Sequence, residues 1–247
     1  MERTYTAPAT PLTEEQVEFF RENGYFLHRK GMSGDLIDAF NRHIYDIRDQ
    51  RPMPEWAAVE EAKKYSLRLF NPHKHDSFSR QLMKHDLVRG ALAQFMGKEA
   101  VCVQSMYFYK EPGSPGQASH QDYYYIKNDP MTMIAAWTAM EDLIDEENGC
   151  LWVMPGTHKL GLLPHGAVKN LEEHEHWTEE TEGVDTSKQI PVVMEKGDIL
   201  FFSELLIHSS NKNRSKNRWR RSYVCHYIRE DSNVLHREDL RQKYPLF

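Results

Sequence analysis

Long apolar runs are missing from this chain of 247 residues: no stretch approaches the ~18–20 apolar residues that a membrane-spanning helix needs. The opening MERTYTAPATPLTEEQ is polar and proline-containing, without the apolar segment of a secretory signal. Cysteine is scarce. Cys102, Cys150 and Cys225 are odd in number, widely spaced and free of any CxxC pairing, which speaks against a disulfide framework and against a structural zinc site. A reducing compartment, the cytoplasm, is the expectation. Basic charge is also short: 31 Lys and Arg face 37 Asp and Glu, a formal net charge of −6, so neither nucleic acid nor a membrane is an expected partner. Repeats and low-complexity segments are absent, and no feature of the sequence sets an oligomeric state.

What is present points to one large domain. With 40% hydrophobic residues, a chain of this length can bury a sizeable core. The first third reads as helical. Thr13 and Gln16 form a capping-box pattern and Gly24 is placed to end a helix over 12–24. GYFLHRKG then reads as a brief strand, and Leu36, Phe40, Ile44 and Ile47 recur at helical spacing after Ser33. Residues 77–97 read as a further single helix. From residue 98 the texture changes to short segments rich in β-branched and aromatic residues, separated by PGSPG, ENG, PG and KGD turn signals. No helical pattern alternates with them, so an antiparallel jelly roll preceded by packing helices is expected. The boundaries are about 12–97 for the helical part and 98–230 for the core, with a short tail, all within a single domain, 1–247. The acidic stretch 168–189 reads as a long insertion loop, a candidate lid.

The chemistry lies in the jelly-roll part. ASHQDYYYIKND (118–129) puts His120 and Asp122 two positions apart, on one face of an extended chain. Alone the pair says little, because the same spacing recurs at His236 and Glu238. KGDILFFSELLIHSSN supplies a third member, His208, at the end of an apolar strand. Taken by itself, His208 would be an ordinary core histidine. Two imidazoles and one carboxylate on separate jelly-roll strands form the donor set of a non-haem Fe(II) centre, and three ligands leave positions open for a cosubstrate and dioxygen. In WRRSYVCHY, Arg220, Ser222 and Val224 share one strand face, while Arg221 and Tyr223 take the other. A guanidinium aimed into the barrel needs an anion, and the far carboxylate of 2-oxoglutarate would be one.

These segments, with AAWTAMEDLIDEENGCLWVMPGTHKLGLLPH and VVMEKGDILFFSELLIHSSN, resemble the phytanoyl-CoA dioxygenase family of Fe(II)/2-oxoglutarate-dependent oxygenases over roughly residues 12–48 and 98–229. The resemblance implies a double-stranded β-helix (jelly-roll) core, iron ligands His120, Asp122 and His208, and Arg220 on the 2-oxoglutarate carboxylate. Arg221 stands in reserve, because this chain has one more residue before the arginine than the family pattern. It also implies cosubstrate contacts from Ser210, Trp137, Met106, Gln121 and Arg68, where Trp137 and Met106 are equally readable as core residues. The implied activity is a dioxygenase that hydroxylates an unactivated C–H bond of a small organic or acyl substrate, releasing succinate and carbon dioxide; the presence of Asp122 favours hydroxylation over halogenation.

Rival readings are a non-catalytic jelly-roll binding protein, and a zinc hydrolase or cupin-type isomerase with the same ligands. A coenzyme A thioester would need basic residues at the pocket mouth, for which Lys212, Arg214, Lys216 and Arg218 are the candidates. Tyr123–Tyr125 read as packing residues in a strand, His158 as structural, and His165, His174 and His176 as solvated residues rather than a second metal site.

Overall fold

The computed structural model describes residues 12–57, 67–176 and 178–246. Thr13 opens the first helix, Glu14–Asn23, through a capping box: Gln16 N–H donates to Thr13 Oγ1 and Thr13 N–H donates to Gln16 Oε1. Gly24 ends it in the left-handed region, φ 78°, and a Cβ there would collide with the His158 ring. The His158 ring packs against this turn, its Nε2 3.0 Å from Arg21 O. Ser33 caps the second helix, Gly34–Asp49, which buries Ile37, Phe40, Ile44 and Ile47 along one face. The single helix expected over 77–97 is two, Ser77–Met83 and Asp86–Met96. The sequence conceals the break because the restart uses an unusual cap, His85, whose Nδ1 accepts from Leu87 N–H at 3.4 Å.

Two main antiparallel sheets form the core, with three two-stranded ribbons beside them among the described residues. In the larger, the strands run Tyr25–His28, Ile199–Ser203, Ile134–Ala139, Arg220–Arg229, Ala100–Lys110 and Tyr244–Pro245 in spatial order, with Leu67–Phe70 also paired to Ala100–Lys110. The smaller sheet orders Ile190–Val192, Leu151–Val153, His208–Ser210 and Gln117–His120. Strand order jumps back and forth along the chain, as a double-stranded β-helix requires, and the expected jelly roll is what the chain forms.

The two-residue period of a strand divides the core in two. On one face of the large sheet, Phe201, Tyr223, Cys225 and Tyr227 pack under Phe40, Ile44, Leu82 and Leu92 of the helices. On the other, Leu200, Phe202, Val224 and Trp137 face Leu151 and Val153 of the small sheet. Truncating one of the large buried rings, such as Phe40, costs about 3–5 kcal/mol. The helices thus brace one sheet from outside, and the space between the sheets is left for a cavity.

The acidic insertion, expected as a long loop, carries strand pairing of its own. Glu179–Thr181 pairs with His165–Ala167, Gly116 N–H donates to Glu173 O, Glu175 N–H donates to Gly116 O, and Thr181 Oγ1 donates to Ser119 O. These bonds tie it to the strand that leads to His120. Cys102, Cys150 and Cys225 are free and buried. Among the described residues, no helix is long and apolar enough to cross a membrane.

Candidate metal centre

Between the sheets lies a cavity of ≈ 220 Å³ lined by residues of both. His120 and His208 are directly opposite one another in the small sheet, so their rings meet with centroids 4.2 Å apart. Asp122 joins them because Gln121 is extended, φ −118° and ψ 127°, and alternate residues of an extended chain share a face. The chain then turns into a short helix, Asp122–Tyr125, so the three tyrosines are not the strand residues expected. A hydrogen bond from Tyr123 N–H to Glu204 O and another from Ile126 N–H to Asp122 O favour the turn.

Each imidazole is locked by its own backbone. His120 Nδ1 bonds Ala118 O at 2.8 Å and His208 Nδ1 bonds Leu206 O at 3.0 Å, which fixes the Nδ1–H tautomer and leaves both Nε2 atoms unprotonated, that of His120 accepting from the Gln117 amide at 3.1 Å. Both Nε2 atoms converge on Asp122 Oδ1, at 3.5 Å from His120 and 3.6 Å from His208. Cis donors around a first-row ion with bonds of about 2.1 Å sit about 3 Å apart, so the donors need close only slightly on a metal. Burial holds His208 neutral, pulling it down to about 4 with His120 adding to the effect. Burial opposes ionisation of Asp122, but His208, His120 and His226 outweigh it and keep the carboxyl well below its usual range. Two neutral imidazoles and one carboxylate are the donors a divalent ion requires. His120, Asp122 and His208 are the one such cluster of His, Cys, Asp or Glu among the described residues.

The other end of the cavity is cationic. Arg220 is 2% exposed; among the described residues its side chain makes one long hydrogen bond, 3.4 Å to Ser222 Oγ, and its Nε has no partner. Its Cζ lies 5.7 Å from the Trp137 ring and 5.9 Å from Phe108. Burial pulls its pKa down to about 10, which leaves it charged at neutral pH. Arg221 faces the opposite way, forked onto Glu141 and over Tyr45. Strand alternation thus separates the two arginines as the sequence pattern requires.

Ser210, Met106, Trp137 and Arg68 all line the cavity. Ser210 Oγ accepts from Gln117 N–H at 3.1 Å, and the Arg68 guanidinium lies over the Phe70 ring. Gln121 does not reach the cavity, contrary to expectation. Its amide donates to Gly161 O and Leu205 O and accepts from Leu163 N–H, each at 2.8 Å, which makes it a buried tie between loops. Being flanked by two inward residues, it points outward by the same alternation. The basic loop is largely committed: Arg214 pairs with Glu173, and Arg218 with Asp145 and Glu147. His165 stacks on Tyr124 and bonds Leu163 O, well explained without a metal.

Several lining residues escaped the sequence reading. Lys110 follows Met106 and Phe108 at even spacing, and His226 follows Arg220 and Val224 in the same way, so period two was the available signal for both. Glu175, which lies behind Lys110 rather than in the cavity lining, carried no signal. It sits in the acidic HEH stretch yet is 1% exposed, with its carboxylate 3.7 Å from Lys110 Nζ.

The chain matches the family model described as phytanoyl-CoA dioxygenase (PhyH) over residues 20–222. It is 31% identical to the peroxisomal phytanoyl-CoA dioxygenase of Rattus norvegicus over 94% of this chain and 72% of the rat protein. It is 33% identical to the methylphosphonate hydroxylase of Gimesia maris over 67% of this chain and 57% of that one. Among solved structures, EvdO2 of Micromonospora carbonacea var. aurantiaca, complexed with 2-oxoglutarate, superposes with a TM-score of 0.72 at 19% identity, covering 94% of this chain and 96% of that chain, and so shares the fold. The chain belongs to the phytanoyl-CoA dioxygenase family and is a 2-oxoglutarate-dependent non-haem iron dioxygenase.

Proposed function

We propose that His120, Asp122 and His208 hold Fe(II), that Arg220 clamps the far carboxylate of 2-oxoglutarate, and that the enzyme hydroxylates a small organic substrate in the cavity between them. The observation that carries this reading is the convergence of two Nε2 lone pairs on Asp122 Oδ1 in a cavity whose other end holds a buried arginine without a strong partner. When bound, Fe(II) supplies the oxidising chemistry, coupling decarboxylation of 2-oxoglutarate by dioxygen to conversion of a C–H bond into C–OH.

The chain's own residues orient and shelter that chemistry. Arg220 offers a charge-assisted fork to a carboxylate. Ser210, already accepting from Gln117, has its hydroxyl proton to give to the same carboxylate. Trp137, Met106 and Phe108 wall the cosubstrate with apolar surface and exclude water. Arg68, beside Phe70 at the cavity, adds positive potential for a dianion.

A small substrate is favoured over a coenzyme A thioester. The cavity lies below the ~300–1,000 Å³ typical of sites for drug-sized ligands, and Arg214 and Arg218 already have carboxylate partners. Succinate release screened across small organic acids, phosphonates and acyl thioesters tests this. Release with an acyl-CoA alone would overturn it. The shared helix–sheet core supports one oxygenase domain over 1–247, and the three free, buried cysteines support a cytoplasmic location, which imaging of the tagged chain checks.

A further inference from the structure

His226 is buried, lines the cavity, and its ring has one hydrogen-bond partner among the described residues: Nε2 lies 3.2 Å from Asp122 Oδ2. Nδ1, equally buried, has none. The strand Arg220–Arg229 sets this placement. Val224 and His226 alternate onto the inner face, while Tyr223, Cys225 and Tyr227 pack outward under the helices. His226 is flanked by Ala135 in one neighbouring strand, too small to compete for the space, and by Gln104 in the other, which shares the cavity wall but makes no hydrogen bond to the ring. A buried imidazole whose one partner is a site carboxylate calls for an explanation, since packing alone would favour an apolar ring.

The two oxygens of Asp122 have separate surroundings. Oδ1 faces His120 Nε2 and His208 Nε2, whereas Oδ2 faces His226. A carboxylate can grip a divalent ion through one oxygen or through both. We infer that His226 is a positioning residue that holds Asp122 Oδ2 away from the metal, so that Asp122 binds through Oδ1 alone and the place Oδ2 would take stays open for 2-oxoglutarate. This rests on the reading of His120, Asp122 and His208 as the iron ligands. The Nε2–H donor, rather than the ring's bulk, is the part that acts, because only a donor gives Oδ2 a competing partner.

The test compares wild type, His226→Phe, which keeps the ring without the donor, and His226→Gln, whose amide restores a donor near the Nε2 position. Each is loaded with Fe(II) without oxygen and titrated with 2-oxoglutarate, following the visible charge-transfer band, with Fe(II) affinity and the melting midpoint measured alongside. His226→Phe is expected to hold Fe(II) as tightly as wild type or more so, yet to bind 2-oxoglutarate at least tenfold more weakly with a shifted band. His226→Gln is expected to recover most of the affinity and the wild-type band. A wild-type-like titration for His226→Phe overturns the inference, and so does an equal loss in both variants with unchanged melting midpoints. If wild type itself gives no band with iron bound, the ligand reading fails first, a result distinct from either. Should His226→Phe not fold, His226→Leu and His226→Asn provide the same contrast of donor against no donor.

Discussion

Lys110 and Glu175 meet inside the protein, 3.7 Å apart, with side chains 3% and 1% exposed. Lys110 Nζ also donates to Pro115 O at 2.8 Å, while Glu175 Oε1 has no hydrogen bond. Burial pulls the Lys110 ammonium down to about 7, against the attraction of Glu175 and with Arg220 and Arg68 adding repulsion. Glu175 is therefore the counter-charge for a cluster of buried cations at the cosubstrate end. Glu175→Ala leaves those cations uncompensated and is expected to cost about 3 kcal/mol of stability. Replacing both partners with Met should cost less than Glu175→Ala alone. Urea denaturation of the three proteins checks the order.

Arg220 and Arg221 make a paired test. Arg220→Ala should weaken 2-oxoglutarate binding about thirtyfold or more, the ~2 kcal/mol or greater lost when a buried charged hydrogen bond loses one partner. Arg221→Ala should leave that affinity unchanged and cost a modest amount of stability through Glu141. Anaerobic titration of the Fe(II)-loaded variants separates the two, and reversal of the pattern would reassign the arginine.

Gln121→Ala should unfold more easily by about 2 kcal/mol, because it removes three hydrogen bonds and leaves Leu163 N–H, Gly161 O and Leu205 O unpaired in a half-buried setting. Its 2-oxoglutarate affinity, measured on folded Fe(II)-loaded protein, should change far less. A large loss of affinity with unchanged stability would return Gln121 to the cosubstrate site.

These contrasts show what was legible in the sequence. Period two read part of what the strands carried: the opposite faces of Arg220 and Arg221, and the shared face of His120 and Asp122, both follow from residue order alone, whereas Lys110 and His226 were legible by the same rule and went unread. The same rule applied to Gln121 would have turned it outward, but the resemblance placed it at the cosubstrate. The break at His85 was hidden because both flanking segments keep helical periodicity across it. Glu175 was unreadable for a different reason. Its burial depends on the backbone of Gly116 pairing with the insertion, a long-range contact that composition, acidic and exposed in appearance, contradicts.

His73 gives the protein an acid-labile element remote from the metal ligands. Burial, with Lys74 and Arg80 adding to it, pushes its pKa down to about 3, while Nδ1 bonds Ser105 Oγ at 2.6 Å. The unfolded chain takes up this proton near pH 6.5 and the folded one does not, so stability is full above that pH and falls as pH drops toward 3. The slope is about 1.4 kcal/mol per pH unit for each proton. Between pH 7 and 5 wild type should lose about 2 kcal/mol more than His73→Gln. Equal losses in urea melts at the two pH values would contradict this.

The most direct measurement is anaerobic optical titration of the Fe(II)-loaded protein with 2-oxoglutarate. A weak visible charge-transfer band, absent in His208→Ala, is the expected result and would establish the chelate at the site formed by His120, Asp122 and His208. No band, with iron demonstrably bound and the protein folded, would contradict the assignment of these three residues and Arg220 to one metal and cosubstrate centre.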